Sequence, residues 1–416
     1  MSTDQPKPFD RELLLERNLA WNDRPMTVFP IPFRLSARQR ALLETSVPAM
    51  VRGAEAVADA FVRDAGLRES FGYGPLQEKC ILADPGYLPQ IPLGRLDSYL
   101  YEDSVQFLEY NTDGTAGWYY QSALDRLWKE RLGKPAPRVP LEGRLFQTLM
   151  ACFRQWDRKG VTSPRIAVVD WNEVPSRHEL QALASSFSAL GSPATVEDPR
   201  GLNIKNGRLV GTEGPVDLVY RRVVSEELFQ QPEQVRPFLE ACCEGLVCCV
   251  GGFRTDPVWS KYFMVLLSDP RFEQHFSAGD RRIYREVVPW SRRVAPEETP
   301  YKGQATFIPD LLKANRERFI LKPERSYQGE GIVAGPYSDD ANWRSSVDRA
   351  LDEGGYIAQE FLSPVVWKHS IQGERYYLQV GEFVLNGAWA GIMPRVCPEP
   401  IVNRHTVDSF IPFEDS

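Results

Sequence analysis

The sequence predicts a mixed α/β (α+β) fold, on three observations. An apolar run of strand length, Arg165 to Trp171, leads into a helical segment, Ser176 to Leu190, and then a second strand candidate, Ala194 to Asp198, the spacing of a parallel βαβ unit. Gly94 to Asn111 reads as a β-hairpin. Four more strand candidates, Phe319–Lys322, Tyr356–Glu360, Tyr376–Val380 and Ala388–Met393, come late in the chain.

Taken in order, Ala37 to Arg63 repeats apolar positions at helical spacing behind a Ser36 N-cap. Gln77 to Asn111 reads as β-like, and Leu124 to Leu132 and Leu141 to Trp156 as helices. The βαβ unit is followed by strand candidates at Gly207–Val210 and Val216–Arg222, so residues 160–255 read as a small doubly wound, Rossmann-like module. Beyond it, helical patterns lie near Lys261–Leu267 and Pro309–Arg316. The divisions expected are a helical segment 1–70, a region 71–160 carrying the hairpin, the module at 161–255, and a final region 256–416.

Composition narrows the function classes. The 416 residues are 43% hydrophobic and 25% charged, as in ordinary globular proteins. The net charge is −7 with Lys and Arg scattered, which speaks against nucleic acid as a partner. No apolar run approaches membrane-spanning length, and Met1 to Glu16 lacks the apolar core of a signal peptide. The cytosol is the simplest location, and there the seven cysteines are expected to be reduced. Cys242, Cys243, Cys248 and Cys249 crowd together; in an apolar segment they read better as small packed hydrophobes than as a zinc site.

The hairpin carries the first chemistry. If its turn is centred on Asp103, Asp97 faces Glu109 and Arg95 faces Asn111. Residues two apart on a strand share a face, so the four side chains form one patch. Two carboxylates about 4 Å apart repel by roughly 1–4 kcal/mol at effective dielectrics of 80 to 20. Mg²⁺, which takes oxygen ligands, removes that penalty, with the Asn111 carbonyl as a further ligand. Arg95 beside them suits a reacting oxygen that gains charge. A surface hairpin with scattered charges fits the same residues.

The second piece is Phe319 to Pro323 followed by Ser326-Tyr327-Gln328-Gly329-Glu330-Gly331. A strand ends at Lys322 and opens into a glycine-containing loop, where backbone N–H groups can cradle phosphates and the lysine adds a point charge. A plain turn between two strands explains it as well. There is no G-x-x-x-x-G-K-[ST] sequence. Gln359 and Glu360 end a later strand at a place suited to adenine or ribose, and Arg395 follows the hairpin around Asn386-Gly387, within reach of a phosphate or on the surface. Thr112 to Gly117 reads as a substrate-contacting loop or as a simple turn. The four histidines show no ligand spacing.

Taken together, these residues resemble the ATP-grasp superfamily of carboxylate–amine ligases, and within it the circularly permuted branch of glutathionylspermidine synthetase. In an ordinary member the lysine and glycine loop come first and the acidic strand late; here Glu109-Tyr110-Asn111 precedes Lys322 by about two hundred residues. The separation of Asp97 and Glu109, Arg95 two places earlier, Val216 to Arg222, Val288-Pro289-Trp290-Ser291 and the late Arg395 match that branch over roughly residues 70–410. The resemblance implies a permuted ATP-grasp fold with ATP and Mg²⁺ as cofactors. It implies Asp97, Glu109 and Asn111 on the metal, and Lys322 with Ser326, Gln328, Gly329 and Gly331 on the ATP phosphates. Gln359 and Glu360 fall at the adenine, and Arg95 and Arg395 face the transferring phosphoryl group. The partners implied are small-molecule carboxylate and amine substrates (an amino acid, peptide or polyamine), with no nucleic acid and no membrane. The pattern departs in three ways: no stretch corresponds to the cysteine amidase domain some members carry, the glutathione-binding positions do not match, and the second ATP lysine is either Lys302 or Lys261. Two rivals remain. One is a nucleotide-binding scaffold or sensor without ligase activity. The other is a dehydrogenase on residues 165–222, which lacks a G-x-G-x-x-G turn after Val169.

Overall fold

The computed structural model describes residues 8–157, 160–327, 329–370, 373–401 and 409–414. A six-residue helix, Arg11–Glu16, precedes a short hairpin, β1 (Ala20–Trp21) and β2 (Arg24–Pro25), whose turn residues Asn22 and Asp23 both have positive φ. Helix α1 (Ala37–Arg63) follows, closed at its start by a capping box in which Ser36 and Gln39 bond each other's backbone. Next, α2 (Pro75–Leu82) occupies residues expected to be extended. Gly74 at the N-cap and Pro75 at the first helical position give that segment a helix start, because the proline presets φ and lacks the N–H that would go unpaired there.

The hairpin itself is β3 (Leu93–Leu100) and β4 (Val105–Asn111), followed by helices α3 (Trp118–Arg131) and α4 (Leu141–Trp156). Then come β5 (Ile166–Val169), α5 (Arg177–Ala189), β6 (Ala194–Glu197), β7 (Leu218–Arg221), α6 (Ser225–Gln230), α7 (Arg236–Cys243) and β8 (Cys248–Val250). These strands form one parallel sheet in the order β8-β7-β5-β6. Every residue of β5 and β7 is buried, as strands covered on both faces require.

The last third contributes β9 (Ser291–Arg293), β10 (Phe319–Pro323), β11 (Val333–Ala334), α8 (Asp340–Glu353), β12 (Tyr356–Glu360), β13 (Tyr377–Leu385), β14 (Ala388–Cys397) and β15 (Ser409–Phe410). The order β9-β12-β10-β11 makes an antiparallel sheet over a small core of its own, with Phe319, Leu321, Trp343 and Ala358. The order β15-β14-β13-β3-β4 makes the central antiparallel sheet. Strands nearly three hundred residues apart therefore share one sheet: Asp97 of β3 pairs with Gly381 of β13.

Alternation divides the central sheet. Leu96, Val380 and Ile392 pack in the core that also holds Val47, Ala54 and Phe61 of α1. Arg95 and Asp97 point to the other face. No helix among the described residues is long and apolar enough to cross a membrane.

The cysteines depart from the expectation that all are reduced. Cys80 of α2 and Cys243 of α7 form a disulfide with Cα atoms 5.2 Å apart. The two helices lie side by side, which sequence spacing does not reveal. Cys248 and Cys249 are buried in β8.

Candidate active site

The hairpin has the expected register where it matters: Asp97 pairs with Glu109 and Arg95 with Asn111. The tip does not, since Ser98 pairs with Phe107 and Leu100 with Val105. A bulge between these two stretches shifts the ladder by one residue and re-aims the side chains beyond it. Asp97 is almost fully buried. Arg95 grips it through Nε to Oδ1 at 2.6 Å and Nη2 to Oδ2 at 3.1 Å, and donates Nη1 to the Ala116 carbonyl at 2.9 Å. Arg395 of β14 reaches the same carboxylate, Nη2 to Oδ2 at 3.1 Å, and also donates to Gln379. Both predicted arginines thus meet at one predicted metal ligand.

Glu109 faces Lys261 and Lys322. Its Oε1 accepts from Asn111 Nδ2 at 3.2 Å, and its Oε2 lies 3.2 Å from Lys261 Nζ. Burial alone would raise the Glu109 carboxyl, but Lys261 and Lys322 pull it down to about 2. Lys322 ends β10 and is buried, which lowers its ammonium to about 8. Its Nζ donates to Gln359 Oε1 at 2.7 Å, and Gln359 in turn donates to Ser291 Oγ at 3.1 Å. Gln359 therefore orients the lysine. Glu360, the next residue of β12, faces the hairpin 298–307, where Tyr301 donates to it at 3.2 Å and Lys302 stands 3.9 Å away.

Of the two candidate second lysines, Lys261 is the one inside. It sits between two short helices, 256–259 and 262–268, is buried, and donates to the Ser326 carbonyl at 2.6 Å. Lys302 is exposed in its hairpin turn. The glycine loop borders the same space through Tyr327 and Gly329, while Ser326 and Gly331 stand behind its wall. Gly331 has φ of 72° and packs so closely on Pro323 that a Cβ would come within 2.7 Å. Gln328 lies outside the described residues. Tyr327 donates to Glu227, whose other oxygen accepts from Trp171 Nε1 at 2.7 Å, so this loop is tied to the parallel-sheet region.

One cavity of about 1270 Å³ is walled by Arg95, Asp97, Glu109, Asn111, Lys322 and Arg395. Gln359 and Glu360 border it as well. It continues past the loop 112–117 to the ends of β5 and β7 and to the β1–β2 hairpin. The hydroxyls of Thr112 and Thr115 are taken up by backbone carbonyls, and Asp113 by Arg221 and Ser225. At the strand ends stand Asp170 and Arg222, which the sequence reading passed over. They follow β5 and β7, neighbours in the sheet between which the strand order reverses, where open parallel sheets bind ligands. Burial pushes the Asp170 carboxyl up to about 7, against the pull of Arg222.

The charges around Asp97 and Glu109 sum to a usable figure. Four cations (Arg95, Arg395, Lys261, Lys322) against two carboxylates (Asp97, Glu109) leave about +2, the counter-charge needed by a triphosphate carrying one divalent ion. The donor set fits Mg²⁺ of that kind: two carboxylates and an amide oxygen suffice when phosphates and waters complete the shell. The Ser326 hydroxyl is buried and has no hydrogen-bond partner among the described residues.

No protein-family model matches the sequence, and no curated protein matches it. Among solved structures, a glutathione synthetase-like effector from Globodera pallida, in apo form, superposes with a TM-score of 0.59 at 12% identity, covering 98% of each chain. The fold is therefore a mixed α/β fold shared with that effector over nearly the full length of both chains. Two further structures score lower. One is a protein from Methylobacillus flagellatus KT provisionally named a gamma-glutamylcysteine synthetase, at TM-score 0.45 and 12% identity over 94% of this chain and 90% of that one. The other is D-alanyl-alanine synthetase A from Vibrio cholerae, at 0.27 and 9% identity over 61% and 89%. Scores this low leave the fold assignment resting on the effector.

Proposed function

We propose that the chain is a circularly permuted ATP-grasp ligase that joins a carboxylate to an amine at the expense of ATP. In this reading residues 71–160 and 256–416 together form the nucleotide-binding grasp, and 161–255 is a Rossmann-like module inserted between them. The observation that carries it is the convergence of Asp97 and Glu109, on an early hairpin, with Lys322, on a late strand, around one cavity.

Asp97, Glu109 and Asn111 would hold Mg²⁺, and Lys322, Lys261 and the loop 326–331 the ATP phosphates. ATP with Mg²⁺, when bound, would supply the γ-phosphoryl group that turns the substrate carboxylate into an acyl-phosphate with release of ADP, and the amine would then displace phosphate from the acyl carbon to leave the amide. The chain supplies position and charge. Arg95 and Arg395, fixed by Asp97, present cationic N–H groups to oxygens that gain charge during transfer. Gln359 holds the Lys322 ammonium toward the phosphates, and Lys261 pins the Ser326 carbonyl, which shapes the loop. Nothing in this scheme needs a nucleophilic side chain, since phosphoryl transfer depends on positioning and electrostatics.

One observation favours the alternative of nucleotide binding without ligation: both Asp97 oxygens are already held by arginine. A phosphate-release screen with ATP and Mg²⁺ against amino acids, small peptides and polyamines separates the two. The ligase gives ADP and phosphate only when an acid and an amine are both present. ATP binding with no ADP formed in any mixture supports the alternative.

A further inference from the structure

One part of the cavity wall carries side-chain donors that meet no acceptor among the described residues. Arg24 of β2 is the one cavity-lining cation that makes no hydrogen bond or ion pair among the described residues. Arg95, Arg222, Lys322 and Arg395 all have acceptors. Trp21, its partner across the hairpin, and Asn22 at the turn line the same wall. The hairpin is seated there by Asn22 N–H donating to the Pro175 carbonyl at 3.0 Å.

The residue after Pro175 is Ser176, the N-cap of α5. It is 6% exposed and lines the cavity, yet its side chain makes no cap bond and no other hydrogen bond among the described residues. An N-cap serine normally spends its oxygen on the first turn of its helix. Here the hydroxyl is left to the cavity, together with the positive end of a 13-residue helix. The acids nearby are already matched: Glu179 accepts from Gly117 and Tyr119 N–H and pairs with Arg222, and Asp23 pairs with His178 at 2.8 Å. Asp170, at the tip of β5, lines the same cavity.

We infer that Arg24, the Ser176 hydroxyl and the N-terminus of α5 form a subsite for a substrate carboxylate that does not take part in bond formation. The inference rests on the ligase reading for the word substrate, and it narrows the substrate class. One of the two molecules joined carries a carboxylate that stays free, either an amino acid or peptide as the amine or a dicarboxylate as the acid; a simple polyamine paired with a monocarboxylic acid leaves these donors unused. Arg24 and Ser176 are then specificity residues, contributed by an element outside the nucleotide end.

The test uses the full-length protein in two arms. In the phosphate-release assay, alanine is compared with alaninamide and glycylglycine with glycylglycinamide as amine partners, and succinate with succinamate as the acid partner. The pair in which the amide fails identifies the molecule carrying the free carboxylate. For that substrate Arg24→Gln and Ser176→Ala should each raise KM about tenfold or more, with kcat and the KM for ATP within about twofold. Binding is read separately, as the rise in Tm that succinate, alanine or glycylglycine gives to wild type and to Arg24→Gln. A carboxylate-specific rise that Arg24→Gln abolishes, without phosphate release in any mixture, keeps the subsite and removes the ligase reading. Turnover that is indifferent to every amide exchange, or an unchanged KM in Arg24→Gln, removes the subsite and keeps the ligase. No carboxylate-specific rise and no turnover with any of these probes overturns the inference.

Discussion

Gly381 of β13 lies under the stem of Arg95: a Cβ placed on the glycine would come within 2.6 Å of Arg95 Cδ and 2.9 Å of its Nε. The guanidinium can therefore run flat across β13 to hold Asp97 only because nothing projects from that position. Gly381→Ala should push Arg95 off its bidentate grip. A displacement of about 1 Å in such a group lowers turnover by about a hundredfold. The strand backbone is otherwise compatible with alanine, since Gly381 has no positive φ, so Tm should change by only a few degrees. Steady-state ATP turnover with unfolding by circular dichroism checks this; wild-type turnover would show that Arg95 has no such role.

Glu109→Gln keeps the shape and the hydrogen bond from Asn111 but removes the charge that Lys261 and Lys322 share. ATP turnover should fall by at least about a hundredfold, as when a charge-stabilising group is lost from an active site. The fold should survive at a loss of about 1–3 kcal/mol for two buried lysines left with less counter-charge. Turnover within a few-fold of wild type would remove Glu109 from the metal assignment.

Much of this site is legible in the sequence, and the reasons differ by residue. The pairings Asp97 with Glu109 and Arg95 with Asn111 follow from placing the turn at Asp103, and the shared face of the four side chains from the two-residue period of a strand. The bulge that changes the register toward the tip leaves no such mark. Lys261 could not be told from Lys302, because its place depends on how two short helices pack under β4. Asp170 carried a readable signal, the first residue after a parallel strand, where such sheets bind ligands. The β1–β2 hairpin had one too: Asn22-Asp23, residue types that tolerate the positive φ of a two-residue turn. The helical start at Gly74-Pro75 is equally visible, although β-like sequence follows it. Which cysteine meets which depends on tertiary packing, and spacing gives no pairing.

Lys322→Met tests the phosphate end. Removing the buried ammonium relieves its desolvation but takes counter-charge from Glu109 and the donor from Gln359, so the fold should lose about 1–3 kcal/mol. The effect should appear in the ligand. ATP should raise the Tm of wild type through preferential binding to the native state, and that rise should shrink in the variant, with a KM for ATP about tenfold or more higher. An unchanged ATP-dependent shift would place the phosphates elsewhere.

The Cys80–Cys243 bond joins α2 to α7 across a sequence separation of 163 residues. Cross-links that close long loops restrict the unfolded chain, typically by about 2–4 kcal/mol. Cys80→Ser, or reduction of wild type, should lower the urea midpoint by a corresponding amount, and peptide mapping without reductant should recover the two cysteines linked. Equal midpoints with and without reductant would show that the pair does not bond in solution.

Asp125 of α3 gives a pH dependence that has nothing to do with catalysis. Its Oδ1 accepts from Phe413 N–H at 2.8 Å and from Gln121 Nε2 at 2.7 Å, which ties the end of the chain to the helix. Burial pushes the carboxyl up to about 8, well above its value of about 4 in an unfolded chain. The folded state therefore binds the proton more tightly than the unfolded one. The stability this contributes is complete below about pH 4, declines between about pH 4 and 8, and is gone above that, with a slope of at most about 1.4 kcal/mol per pH unit. Asp125→Asn keeps an acceptor oxygen for Phe413 and has no charge to bury. Its unfolding free energy should lose this decline, so that the variant matches wild type at pH 4 and exceeds it at pH 8. Urea titrations at the two pH values decide the matter: parallel curves for variant and wild type would mean that Asp125 stays ionised in the folded protein.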